Sequence, residues 1–268
     1  MRKASEKGDP IHDGKQLQQH MLATYFTLRW GLAAIAIVLP LMLWALHRWG
    51  AAEEPLKSMS HSYWLLENNS WFSGRAVFVG GLFAIAAGLY LYKGYTRKEN
   101  LALNLAAVLL IVVALLPTEL NCSSKDRPVD ASLPSYCFPG LNPHGPSAIS
   151  AFLILGYVVF FRAHDSLTAI REEATRSFFG RAYELIAIGM IAFPVSALAL
   201  HWLRNEYSTL TFWLEAAGIF AFAIFWAFKS LEMRRSFAEE KAAEGKGLPP
   251  GPSAAAADSE GLRAASPQ

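Results

Sequence analysis

Charged residues are scarce in this chain. Asp, Glu, Lys and Arg together make up 17% of its 268 residues, whereas an ordinary soluble domain carries about 25%. Hydrophobic residues reach 53%. This balance argues against an ordinary soluble domain, and the slight net charge of +2 gives no indication of nucleic-acid binding. We therefore predict no nucleic-acid partner.

Cysteine is rarer still, and no signature of a known chemistry is complete. The two cysteines, Cys122 and Cys137, do not have the spacing of a zinc knuckle. No stretch matches a catalytic, nucleotide-binding or transport motif. No apolar stretch carries the polar stripe or charged ring that lines channel pores, and the two halves lack the similarity of inverted-repeat transporters. The sequence therefore argues against a channel and leaves an enzymatic activity undecided.

What the chain has instead is six long apolar stretches. A hydrocarbon core about 30 Å thick is crossed by roughly 20 residues of helix. Lipid offers no partner for unpaired backbone amides, so these stretches must be helical. We predict an all-α fold, a polytopic transmembrane bundle of six helices. The stretches span residues 30–46, 76–92, 101–117, 145–161, 185–200 and 207–228.

Basic residues predict the orientation of the bundle. With the N-terminus in the cytoplasm, most of the 24 lysines and arginines fall on the inner side, including the cluster that begins at Lys229. The positive-inside rule therefore places both termini in the cytoplasm. We predict a cytoplasmic N-terminal segment over 1–24, a six-helix transmembrane domain over 25–235 and a disordered cytoplasmic tail over 236–268. In a bacterium, the predicted location is the plasma (inner) membrane.

The two cysteines fall in the predicted outer loop between the third and fourth stretches. In an oxidising compartment, a bond between them would stabilise that loop by about 3 kcal/mol. We predict a disulfide between Cys122 and Cys137, with unpaired or metal-bound thiols as the alternatives.

Glu215 is the strongest candidate for a functional residue, because it is a charged side chain inside a predicted span. It lies roughly 12 Å along the helix from Tyr207 at 1.5 Å per residue, too deep to reach the interface easily. Charged residues at membrane depth are costly, and they are usually functional. Two structural alternatives stay open: Glu215 is protonated within the bundle, or it pairs with Arg75 or Arg204.

Other polar residues share the predicted outer side with Glu215, at the ends of the third, fourth and fifth stretches. We therefore predict an outer polar pocket. Histidine and carboxylate side chains are zinc ligands, but no pair here has the i, i+4 spacing of a helix-borne metal site. We predict no metal and no cofactor. The members of the predicted pocket are Glu119, His144, Ser147, His201, Glu215 and Arg75.

Short motifs lie in the third, fourth and sixth predicted spans. They are Asn104 in the third span, Val-Ala-Leu-Leu-Pro at 113–117, His144 with Ser147 and Ala148 opening the fourth span, and the stretch 215–229 with Phe222 and Trp226. This combination resembles six-helix Frag1/DRAM-like membrane proteins and their bacterial relatives. The resemblance implies a six-helix fold and a link to lipid remodelling or membrane organisation.

Two function classes follow. The first is a non-enzymatic membrane protein that organises lipids or partner proteins, which the missing motifs and the small residues Gly80, Gly81 and Gly88 of the second span favour. The alternative is a lipid-active enzyme or small-molecule carrier that uses the outer polar pocket. The predicted partners are membrane lipids, together with a second copy of the chain or another membrane protein.

Overall fold

The computed structural model describes residues 10–49, 56–64, 73–116, 143–170, 172–204 and 208–236. All regular structure within these ranges is helical, and they contain no strand. The long helices are α1 (Pro10–Trp49), α2 (Gly74–Leu91), α3 (Arg97–Leu115), α4 (His144–Tyr157), α5 (Glu173–Arg204) and α6 (Thr209–Ser236). A short 3-10 helix over Ser60–Trp64 precedes α2, and α4 continues as a π-helix over Val158–Arg162 and a 3-10 helix over Ala163–Ala169.

Six helical segments are long and apolar enough to cross a membrane. The fourth reaches this length because α4 continues without interruption through the π-helix and the 3-10 helix to Thr168. The predicted all-α bundle of six such helices is therefore confirmed. α1 has 40 residues and begins at Pro10, so it is about 60 Å long. Part of the predicted N-terminal segment is consequently helical.

The helices follow one another around the bundle in chain order. Each long helix packs against the next, and α6 packs against α1 to close the circle. The Arg29 guanidinium of α1 donates to the Tyr92 hydroxyl beside α2 and to the backbone carbonyl of Lys229 in α6. The first half of α1 and the last part of α6 therefore share one end of the bundle. We call it the Lys229 end, and the opposite one the Glu215 end.

Side-chain caps fix where two of the helices begin. At α2, Ser73 Oγ accepts a hydrogen bond from the backbone N–H of Ala76 at 3.1 Å. At α3, Thr96 Oγ1 accepts from the N–H of Glu99 at 3.2 Å, and Glu99 Oε2 accepts in return from the N–H of Tyr95 at 2.8 Å. This reciprocal pair is a form of capping box. It satisfies amide groups that the first turn of a helix leaves without an intrahelical partner.

Two glycines of α2 allow α1 to pack closely against it. A Cβ atom at Gly88 would lie 2.5 Å from Leu32 Cδ2, and one at Gly81 would lie 2.6 Å from Leu39 Cδ1. A Cβ atom at Gly80 would have nothing within 4 Å. The small residues of the second span thus fall on two faces. Gly81 and Gly88 meet α1, whereas Gly80 is exposed.

Several predictions fall outside the described residues. Glu119, Cys122 and Cys137 lie within 117–142, and residues 237–268 of the predicted tail over 236–268 are also not described. The disulfide between Cys122 and Cys137 and the disordered tail therefore stay predictions. The cytoplasmic location of the two termini also stays a prediction, because the fold alone does not define which end of the bundle faces inward.

Candidate functional site

A cavity of about 630 Å³ lies between α2, α3, α4, α5 and α6 at the Glu215 end. Its size falls within the range of small-molecule sites, which are about 300–1,000 Å³ and mostly apolar with a few placed polar groups. Much of its wall is apolar, formed by residues that include Phe78, Leu82, Ile85, Leu155, Ile219 and Phe222. The polar side chains of the wall are Ser60, His144, Ser150, His201, Thr211 and Glu215.

Glu215 is held by the segment that precedes α2. The Ser58 hydroxyl lies 3.0 Å from both Oε1 and Oε2, and the backbone N–H of Met59 donates to Oε2 at 2.7 Å. Ser58 and Met59 are buried, whereas Glu215 keeps some exposed surface because it faces the cavity. Its hydrogen-bond donors in the described part of the chain are thus neutral. These contacts fasten the α1–α2 connection to α6.

The two arginines considered as ion-pair partners of Glu215 lie elsewhere. Arg75 Nε donates to the backbone carbonyl of Tyr63 at 2.8 Å, and its guanidinium carbon lies 4.4 Å from the centre of the Tyr63 ring. Arg204 is exposed near the end of α5. Neither residue lines the cavity, and within the described ranges Glu215 forms no ion pair. The ion-pair alternative is therefore not what the structure shows.

His144 joins the start of α4 to the end of α3. Its Nδ1 lies 2.6 Å from the backbone carbonyl of Leu116, and since a carbonyl oxygen only accepts, Nδ1 carries the hydrogen. The imidazole also stacks against Phe78, with ring centres 6.5 Å apart. Both rings belong to the cavity wall. Ser147 is buried one turn further along α4 but does not line the cavity.

Of the six residues predicted to form the pocket, the structure brings three to one cavity. His144, His201 and Glu215 line it, on α4, α5 and α6 respectively. Arg75 and Ser147 lie outside the lining, and Glu119 falls in the range that is not described. Sequence reasoning missed Ser58 and Met59, because their contact with Glu215 spans more than half of the chain.

A further histidine lies outside the membrane-spanning segments at the same end. The pKa of His61 falls from 6.5 to about 4, mainly because the side chain is buried and, to a lesser extent, because Lys57 and His201 lie nearby. The imidazole of His61 is consequently neutral at physiological pH. It lies in the short 3-10 helix that follows Met59.

The Lys229 end holds a second polar cluster, which the sequence reading missed. Lys229 Nζ donates to Glu232 Oε2 at 2.9 Å and to the Ser166 hydroxyl. Ser166 in turn donates to Glu232 Oε1 at 2.6 Å, and the Tyr183 hydroxyl donates to Glu232 Oε2. All four side chains are buried. They connect α5 and α6 with the 3-10 helix after α4.

Arg29 extends this buried cluster to α1 and α2. Its guanidinium donates to the Tyr92 hydroxyl at 2.6 Å, and Arg29 itself is fully buried. The sequence predicts Lys229 as the first residue of a basic cluster on the cytoplasmic side, but its side chain is buried in the bundle. The i, i+3 spacing of Lys229 and Glu232 was the available signal, because it places opposite charges on one helix face.

No group of three or more His, Cys, Asp or Glu side chains in the described part of the chain is arranged to hold a metal ion. Comparison with protein-family models, curated proteins and solved structures finds no match to this chain. The resemblance to Frag1/DRAM-like proteins therefore stays a prediction.

Proposed function

We propose that this integral membrane protein binds a single-chain amphiphilic molecule inside its helix bundle. The cavity carries this proposal, because its wall combines many apolar side chains with Glu215, His144 and His201, which lie near the ends of α6, α4 and α5 at the Glu215 end. An amphiphile matches both parts of such a site. Its hydrocarbon chain would cover the apolar wall, and its head group would contact the polar side chains.

An opening supports entry of a ligand from the membrane surface. Gly145 and Pro146 at the start of α4 and Trp202 near the end of α5 line the cavity and are also exposed. The cavity therefore reaches the surface between these two helix ends. With the orientation that the basic residues predict, the opening lies at the level of the outer head groups.

Filling the cavity tests the proposal. Ala148 lines the cavity, so Ala148→Phe should occupy space that the ligand needs. Ala199 is exposed on α5 and is absent from the lining, so Ala199→Phe is the matched control. The probes are dodecan-1-ol, dodecanoate and dodecylammonium, added to the purified full-length protein in phosphatidylcholine nanodiscs.

A ligand that binds only the folded state raises the melting temperature in a saturable way. We expect at least one probe to do so with the wild-type protein and with Ala199→Phe, and to bind Ala148→Phe about tenfold more weakly or not at all. If no probe stabilises the wild-type protein, or if both variants respond alike, the cavity is not a binding site for such molecules.

The second candidate function is a scaffold that self-associates through α2. The face of α2 that is exposed on the surface of the bundle favours this function. Gly80 and Ala84 are both exposed there, one helical turn apart. Small residues four positions apart allow helices to approach closely in membranes. Gly80→Leu should then convert a dimer of the purified protein to a monomer. An oligomeric state that does not respond to this change would exclude association through α2.

A further inference from the structure

We infer that the cavity selects amphiphiles whose head group is a protonated amine, with the ammonium bound by the Glu215 carboxylate. This inference rests on the proposed function and adds the class of head group. It follows from the hydrogen-bonding capacity of Glu215, from the charges of the cavity wall and from the position of the buried cations.

Glu215 has acceptor capacity that the described residues leave unused. An ionised carboxylate offers about four lone-pair positions. The Ser58 hydroxyl has a single hydrogen, and its oxygen lies 3.0 Å from both Oε1 and Oε2, so the two oxygens share this one donor. Met59 supplies one N–H to Oε2. Two hydrogens therefore serve about four positions. An ammonium group brings three further N–H donors, and it can supply what the protein does not.

The described part of the cavity wall also lacks a lysine or arginine that could compensate the charge of Glu215. None of its described lining residues is a lysine or an arginine, and the two donors to Glu215 are uncharged. A carboxylate away from water is costly unless it is paired. A bound ammonium would pair with it, and the attraction gains strength in the low dielectric of the bundle. A phosphate or carboxylate head group would meet repulsion from Glu215 instead.

Among the described residues, the buried cations Lys229 and Arg29 are held at the other end. The Lys229 ammonium contacts Glu232 and Ser166, and the Arg29 guanidinium contacts Tyr92. These contacts keep both cations in the Lys229-end cluster and away from the cavity. A bound ammonium would therefore supply a counter-charge for Glu215 that the described lining residues do not.

The experiment compares head groups on one hydrocarbon chain. Binding of dodecylammonium, dodecan-1-ol and dodecanoate to the full-length protein in phosphatidylcholine nanodiscs is measured by calorimetry, and uptake by empty nanodiscs is subtracted. We expect the wild-type protein to bind dodecylammonium about tenfold or more tightly than either of the other probes. This comparison needs no variant, so it tests the inference even if substitutions of Glu215 fail to fold.

Three variants locate the preference. Glu215→Gln keeps the shape of the side chain and removes its charge, so the preference for dodecylammonium should disappear. Ile219→Lys places a lysine one turn further along the cavity face of α6, where it can pair with Glu215, and it should also abolish the preference. Glu184→Gln is the control, because Glu184 is an exposed carboxylate on α5 outside the lining, and the preference should persist.

The outcomes separate this inference from the proposed function. If none of the dodecyl probes binds, the proposed function fails and the inference fails with it. If dodecan-1-ol or dodecanoate binds as tightly as dodecylammonium, the cavity is a binding site but Glu215 does not select a cation. If Glu215→Gln or Ile219→Lys keeps the tenfold preference, Glu215 is not the group that binds the ammonium.

Discussion

The backbone N–H of Met59 donates a hydrogen bond of 2.7 Å to the carboxylate of Glu215. This bond joins the connection between α1 and α2 to α6, and with the Ser58 hydroxyl it fixes the carboxylate in the cavity wall. Glu215 therefore has a structural role, in addition to its proposed role in ligand binding. Substitutions that differ in hydrogen-bonding capacity separate the two.

Glu215→Leu should destabilise the protein more than Glu215→Gln. The glutamine side-chain oxygen still accepts from Met59, so we expect a loss of about 1 kcal/mol. Leucine accepts no hydrogen bond and leaves the buried Met59 amide unsatisfied, which costs about 1–3 kcal/mol. The Ser58 hydroxyl keeps its contact of 2.9 Å with Ser60 Oγ. Thermal unfolding of the purified variants measures the difference. Equal losses for both variants would show that these hydrogen bonds contribute nothing to stability.

Breaking the buried ion pair between Lys229 and Glu232 should lower the free energy of unfolding more than the Glu215 substitutions do. Lys229→Met leaves the Glu232 carboxylate buried without its cation, and we expect a loss of about 3–5 kcal/mol. Adding Glu232→Leu removes the stranded charge, so the double variant should be more stable than the sum of the single losses predicts. A double-mutant cycle based on thermal unfolding measures this coupling.

Lys93→Met is the control for the Lys229 experiment, because Lys93 is exposed just after α2. We expect it to change stability by less than about 0.5 kcal/mol. Strictly additive losses in the cycle would mean that Lys229 and Glu232 do not interact, which would contradict the arrangement of the cluster.

Gly218→Ala should loosen the contact between α5 and α6. A Cβ atom there would lie 2.7 Å from Pro194 Cγ and 3.0 Å from Pro194 Cδ. The proline ring is rigid, so the helices must separate, and overpacking of this kind costs about 1–3 kcal/mol. Gly80→Ala is the matched control, since its Cβ atom would meet nothing within 4 Å. The melting temperature of Gly218→Ala should be well below that of Gly80→Ala. The reverse order would refute the close contact between Gly218 and Pro194.

The sequence predicted the six helices because an apolar stretch that crosses lipid must satisfy its backbone hydrogen bonds internally, as a helix does. It also brought His144, His201 and Glu215 to one end, since successive crossings alternate in direction. The sequence did not predict how each helix is rotated about its own axis. Arg75 and Ser147 belong to the same end as these residues, yet they lie outside the cavity lining.

The Lys229-end cluster could not be predicted for a related reason. The positive-inside rule treats a basic residue beside a span as exposed to the aqueous phase, but Arg29 and Lys229 are almost entirely buried. Their partners Tyr92 and Ser166 come from other helical segments. Such contacts depend on the packing of the helices, and a single sequence does not encode that packing in a local pattern.

Stability should fall as the pH is lowered from about 6.5 to about 4. Burial holds the pKa of His61 at about 4, whereas an unfolded histidine has a pKa of about 6.5. Between these values the unfolded state binds more protons, so acid favours unfolding by about 1–3 kcal/mol in total. His61→Asn should flatten this dependence in thermal unfolding from pH 4 to 7. Ser60→Ala, which removes no titratable group, should retain it; a flat wild-type curve would contradict the prediction.

The orientation of the bundle can be tested with thiol labelling. In a background with Cys122→Ser and Cys137→Ser, single cysteines at Lys7 and Lys246 should resist a membrane-impermeant maleimide in intact cells, because the positive-inside rule places both termini in the cytoplasm. They should react once the cells are permeabilised, which shows that the thiols are accessible. A third cysteine at Lys125, in the predicted outer loop, should label in intact cells and serves as the positive control. Labelling at Lys7 and Lys246 without permeabilisation would reverse the orientation, and the cavity opening would then face the inner leaflet.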